Sequence, residues 1–188
     1  MNRVELDLTK PEDLQQVKAQ WRFGQGMVPG QPNEGLVAQD GGSPARLSDY
    51  DDSWWEVCDS ITEYRSKGFT FGWYRITLTM PEKVKGLDLR GTRMFFETCI
   101  DDYGEIWING KCDLERGMVQ GCNVPHRIYV TTAPEPGSKH VIACLAINGP
   151  MAAGSGAIFM RFARLAFEST LTGGAPGAPL KPGGPYDR

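Results

Sequence analysis

The sequence predicts an all-β sandwich with one short helix near its N-terminus. Three observations carry that prediction: short runs of residues that alternate polar and apolar, turn residues between them, and only one stretch with a helical period. The densest signal lies between Phe95 and Lys111, FFETCIDDYGEIWINGK. There Glu105 to Ile108 alternate as a half-buried strand does. Asn109-Gly110 supplies the two positive-φ positions of a tight hairpin turn. Asp101-Asp102 form a polar break after the apolar run Met94 to Ile100. In an extended segment two adjacent carboxylates point to opposite faces, so these two are expected to diverge.

The other elements follow in order. Val4 to Leu8 alternates as a short strand. Thr9 with Glu12 has the form of a capping box with Pro11 in the first turn, predicting a helix over Pro11 to Gln20. Leu14, Val17 and Trp21 mark its inner face. Phe23 to Pro44 is rich in Gly, Pro, Gln and Asn and reads as a long irregular segment. Arg46 to Val57, RLSDYDDSWWEV, concentrates acids and aromatics. Ser60 to Gly68 reads as a short helix or loop. Phe71 to Met80 is a strand, with Trp73, Arg75, Thr77 and Thr79 opposite Tyr74, Ile76, Leu78 and Met80. Pro81 to Gly91 is a polar connection, Arg116 to Pro125 a loop, and Arg127 to Thr131 a further strand. His140 to Ile147 is almost continuously apolar, which predicts burial on both faces. Ala157 to Phe167 is the last strand. Residues 1–172 are thus expected to form one domain, and residues 173–188 a Gly/Pro-rich tail that acts as linker or docking arm.

A chain of 188 residues supports one sizeable core. A net charge of -3 and a pI near 5.4 speak against a nucleic-acid surface. No apolar run is long enough for a membrane helix. The N-terminus has no apolar signal segment, and the five cysteines are odd in number and widely spaced. Both features predict reduced thiols in the cytoplasm.

At this point the residues resemble a known family. Asp51-Asp52-Ser53-x-Trp55, the strand Phe71-Gly72-Trp73-Tyr74-Arg75 and the hairpin Asp102 to Gly110 are similar to the sugar-binding domain of family 2 glycoside hydrolases. That domain carries a DDS-x-W loop, a G-x-Y-R strand and a V-W-V-N-G hairpin in this order. Pro136-Gly137, the strand Val141 to Ile147 and Asn148 resemble its later turn, strand and asparagine. The resemblance runs from about Trp21 to Phe167 and implies a galactose-binding-like jelly roll. In those glycosidases the catalytic carboxylates belong to a separate barrel, so none is carried over. The loop serine and tryptophan lock the loop onto the sandwich there, which assigns Trp55 to structure.

A sugar site needs aromatic rings for pyranose faces and a few fixed polar groups. Tyr50, Trp54 and Tyr103 are the aromatic candidates. Trp54 should point away from its neighbour Trp55 if the segment is extended. Asp52, Asp101, Glu105 and Arg127 are the polar candidates. Trp73 and Trp107 lie within strands and read as packing. Asp102 and His126 are the candidates for acid/base chemistry. Asp49, Asp51 and Asp52 offer hard oxygens for the structural calcium that the resemblance implies; no other cofactor is expected.

Three functions follow. The first is a non-catalytic carbohydrate-binding module, or an accessory subunit of a carbohydrate-active enzyme. The second is a structural subunit of an oligomer, docking through its tail. The third is a stand-alone enzyme acting on a saccharide through the loop carboxylates and His126. Expected partners are a carbohydrate or glycoside and a partner enzyme, with no nucleic acid and no membrane.

Overall fold

The computed structural model describes residues 3–31, 42–121, 124–149 and 156–169. In chain order the strands are β1 (Arg3–Asp7), β2 (Trp21–Gln25), β3 (Glu56–Val57), β4 (Arg65–Lys67), β5 (Thr70–Thr79), β6 (Lys83–Val84) and β7 (Leu87–Asp88). They continue as β8 (Thr92–Asp101), β9 (Tyr103–Ile108), β10 (Lys111–Cys112), β11 (Met118–Gln120), β12 (His126–Thr131), β13 (Lys139–Asn148) and β14 (Ala157–Ser169). One α-helix, α1 (Pro11–Gln16), follows β1. The all-β prediction holds. One sheet has the order β1-β14-β8-β12, with β4 also on β14; the other has β10-β9-β13-β5-β2-β3, with β11 also on β9. All pairings are antiparallel.

The core lies between the two sheets. Leu6, Phe96, Ile100, Met160, Leu165 and Phe167 of the first sheet meet Trp21, Tyr74, Ile76, Ile106, Ile142 and Cys144 of the second. Period-two alternation places these side chains: each strand sends every other residue inward. β13 is buried on both faces, as its continuous apolar run predicts, because the segment from Ser43 to Trp55 crosses the outer face of its sheet. Ala143 and Leu145 pack there with Ala45, Trp55, Phe71 and Trp73. The hairpin turn also forms as expected, with Asn109 and Gly110 at φ of 50° and 77°.

Where β9 passes β13, Gly104 leaves no room for a side chain: an added Cβ would overlap the Leu145 carbonyl oxygen. Overpacking of this kind costs about 1–3 kcal/mol, and a backbone atom cannot rotate aside. Gly104→Ala is expected to reach the upper end of that range, read as a lowered midpoint in urea unfolding.

The N-terminal helix departs from the prediction. It ends at Gln16, and its N-cap is Lys10, with no side-chain cap. Thr9 is diverted because its hydroxyl and amide both donate to Asp7 Oδ1, at 2.7 and 3.1 Å. Asp13 then accepts the Asp7 amide at 2.8 Å and the Lys85 ammonium at 2.9 Å. Trp21 belongs to β2, and its indole N–H donates to the Leu8 carbonyl. Ser60 to Gly68 contains β4, and no helix. The polar connection after Pro81 carries the small β6–β7 hairpin, and the predicted loop from Arg116 carries β11. In each case tertiary pairing adds short strands that the local pattern is too brief to show. The tail at 173–188 and Cys122 lie outside the described residues; Cys58, Cys99, Cys112 and Cys144 form no disulfide among the described residues. Among the described residues no helix is long and apolar enough to cross a membrane.

Candidate functional site

Arg75 organises the outer face of the larger sheet. Strand alternation turns it away from the core, yet it is only 1% exposed. Its Nε donates to Asp52 Oδ2 at 2.9 Å. Its Nη1 donates to the carbonyls of Ala45 and Leu47, and its Nη2 to that of Tyr50. The guanidinium also lies over the rings of Tyr50 and Trp55, at 5.6 and 5.9 Å. One buried cation therefore gathers the whole 45–55 loop. Arg22 adds a second hold, donating from Nη1 to the Ser53 and Trp55 carbonyls, with its Nε 3.8 Å from Asp52 Oδ1.

These contacts sort the loop residues. Asp52 is a bracket for the loop. Tyr50 is half-buried against Trp55, with ring centroids 5.5 Å apart. Trp55 is buried, and its indole is stacked so closely on Gly24 that a Cβ there would fall 2.6 Å from Cε2. The Trp55 Nε1–H has no acceptor among the described residues. Trp54 points the other way and is 57% exposed, although the segment is a turn closed by the Trp55 N–H donating to the Asp52 carbonyl, and not the extended stretch from which the divergence was argued. It is nonetheless fixed: its ring meets Trp55 edge-on at 6.1 Å, and its far edge sits over Gly30.

The three aspartates do not fit a calcium ion. Asp52 already carries two guanidinium groups, Asp51 Oδ1 accepts the Ser53 amide, and Asp49 is exposed. The Ser53 bonds hold the Asp51 carboxyl below the usual range. Among the described residues no three His, Cys, Asp or Glu side chains gather as a metal site.

The β8–β9 corner forms a separate rim. β9 lies three strands from β2, about 14 Å at ~4.8 Å per strand, so the rim and the Trp54 loop occupy different parts of the sheet. Asp101 Oδ2 pairs with Arg161 at 3.2 Å. The Asp102 and Asp101 side chains are hydrogen-bonded to each other, so the expectation that the two carboxylates diverge is overturned. That expectation assumed an extended segment, whereas these residues form the corner at which one strand ends and the next begins. Burial, a side-chain hydrogen bond to Asp101 and the Asp101 charge push the Asp102 carboxyl up. Tyr103 stands at the rim, 38% exposed, while Glu105 Oε2 accepts the Trp107 indole N–H at 2.8 Å. The residues that sequence reasoning missed here are Arg161, Phe159 and Tyr64. Only strand pairing, with Phe159 opposite Asp101, brings them to the corner.

His126 and Arg127 lie on β12, in the smaller sheet. Arg127 joins Arg3, Glu97 and Glu168 in a network on its outer face, with both glutamates 2% exposed. His126 Nδ1–H donates to the Arg116 carbonyl, and burial lowers its pKa. Among the described residues neither contacts Asp101, Asp102 or the Trp54 loop.

A second histidine mimics a catalytic arrangement. Ser138 Oγ lies 3.3 Å from His140 Nε2, and Asn109 Nδ2 lies 3.2 Å from His140 Nδ1. The hydrogen bonds exclude base catalysis. Val141 N–H donates to Asn109 Oδ1, which turns the amide nitrogen toward the imidazole. Nδ1 must accept, so Nε2 carries the proton and cannot take one from Ser138, whose hydroxyl donates to the Glu135 carbonyl. The cluster locks the Asn109-Gly110 turn. Burial pushes the His140 pKa down, so the unfolded chain binds the proton more readily. Stability from this site is complete above the ordinary histidine value of about 6.5 and is lost as pH falls below it. His140→Gln is expected to remove its share of the wild-type loss of stability between about pH 6.5 and 5, leaving the share of the similarly buried His126, measured by urea unfolding at each pH.

No family model matches the chain, and no curated protein matches its sequence. Solved structures do. A calcium-binding mutant of Bacteroides uniformis beta-glucuronidase 2 matches 88% of this chain and 18% of its own, at 18% identity and a TM-score of 0.56. A glycosyl hydrolase family 2 member from Bacteroides cellulosilyticus matches 88% of this chain and 21% of its own, at 18% identity and 0.56. Faecalibacterium prausnitzii beta-glucuronidase matches 90% and 32%, at 14% identity and 0.57. The chain thus shares its fold with one portion of family 2 glycoside hydrolases, and spans between about a fifth and a third of those chains.

Proposed function

We propose that this chain is a non-catalytic carbohydrate-binding module, or an accessory part of a carbohydrate-active enzyme, whose ligand stacks on Trp54. The observation that carries the reading is the division of two adjacent tryptophans. Trp55 is spent on the fold, while Trp54 is rigidly supported and open to solvent. A flat ring already held in place loses little entropy on binding and offers an apolar face to a pyranose. The fold shared with family 2 glycosidases makes a glycan the favoured ligand class.

The test is calorimetric titration of the full chain against a panel of neutral and acidic oligosaccharides. Wild type is expected to bind at least one of them, and Trp54→Ala to lose that binding while keeping its melting temperature. Binding that survives Trp54→Ala unchanged would remove this site.

A further inference from the structure

We propose that the β8–β9 corner is a second carbohydrate site, in which a neutral pyranose lies on the Tyr103 ring and its hydroxyls meet the Asp102 carboxyl. The inference rests on the carbohydrate reading above but uses none of its residues. Alternation along β9 turns Ile106 and Ile108 into the core and leaves Tyr103, Glu105 and Trp107 outside. Trp107 is covered by Arg46 at 5.4 Å and ties up Glu105. Tyr103 remains uncovered, yet its ring has a fixed seat. A Cβ at position 149 would fall 2.8 Å from its Cε2, so the ring rests on bare glycine backbone.

The same glycine links the ring to the polar group, since the Gly149 N–H hydrogen-bonds to Asp102. Arg161 is committed to Asp101 and stacks over Phe159 at 4.8 Å. Asp101 Oδ1 is buried with no hydrogen-bond donor among the described residues. Asp102 is itself hydrogen-bonded to the Asp101 side chain, which fixes its carboxyl at the rim. A carboxylate accepts hydrogen bonds, which is what sugar hydroxyls offer. Two carboxyls against one committed guanidinium disfavour an anionic sugar. Tyr64, 75% exposed with its ring 4.7 Å from Phe159, widens the corner on the side of β4.

The experiment is an amide-resolved NMR titration of the full chain with methyl β-D-glucopyranoside and, separately, with the corresponding glucuronide. The neutral glycoside is expected to shift the signals of Asp102, Tyr103 and Gly149 saturably, with Kd on the order of millimolar. Trp54→Ala should keep these shifts, Tyr103→Phe should keep the affinity, and Tyr103→Ala should weaken it by roughly tenfold or more. The glucuronide should bind more weakly by a similar factor. Shifts confined to the Trp54 loop would overturn this site and leave the carbohydrate reading standing. Equal binding of the glucuronide would overturn the neutral preference. Saturable corner shifts unaffected by Tyr103→Ala would overturn the stacking role, and silence at both places across the oligosaccharide panel would overturn both readings.

Discussion

Replacing Arg75 with methionine is expected to lower stability by about 3–5 kcal/mol, the range for removing one partner of a buried ion pair. The loss has two sources. Asp52 loses the nearer of its two guanidinium partners, and the carbonyls of Ala45, Leu47 and Tyr50 lose their donor together. Native stabilities of 5–15 kcal/mol make this a large fraction of the total. Arg75→Lys should recover only part of it, because a point charge on a flexible stem cannot reproduce the fork that reaches four acceptors. Urea unfolding measures the size. Hydrogen exchange gives the location: protection should fall first in the Ala45 to Trp55 loop. A loss under about 1 kcal/mol would mean that the loop is held mainly by its apolar contacts.

Trp55→Ala is the second large effect, expected at about 3–5 kcal/mol. The indole fills the space between Gly24, Tyr50 and Arg75, and Gly24 has no side chain with which to close the gap. Trp54→Ala should cost no more than about 1 kcal/mol, since most of that ring already faces water. Two neighbours of the same residue type thus separate into a stability position and a binding position. Thermal melting distinguishes them directly. Equal losses at both would contradict the division on which the proposed glycan site stands.

The strand pattern made most of the fold legible. β5, β8, β9, β12, β13 and β14 lie within a residue or two of the segments read from alternation, and the Asn109-Gly110 turn formed as its residue types require. Short pieces such as β3, β4, β6, β7, β10 and β11 were not readable, because two or three residues carry no period. The helix was read too long, since the competing bonds from Thr9 to Asp7 depend on how β1 delivers the chain. Among the candidate residues, Trp54 and Trp55 do separate, but through a turn closed by the Trp55 N–H on the Asp52 carbonyl and not through the extended segment that alternation assumed. The engagement of Asp52 by Arg75, 23 residues away, and of Arg127 by Glu168, 41 residues away, was not readable.

Sequence alone therefore determined which strand residues face inward and where the main turns fall, because each depends on neighbours a few positions apart. Only the tertiary structure decided that Arg75 is a buried clamp, that Asp101 and Asp102 share a corner with Arg161, and that the rim and the Trp54 loop are separate places. Those outcomes depend on which strands lie side by side, and strand order is set by the burial of the whole core rather than by any one segment.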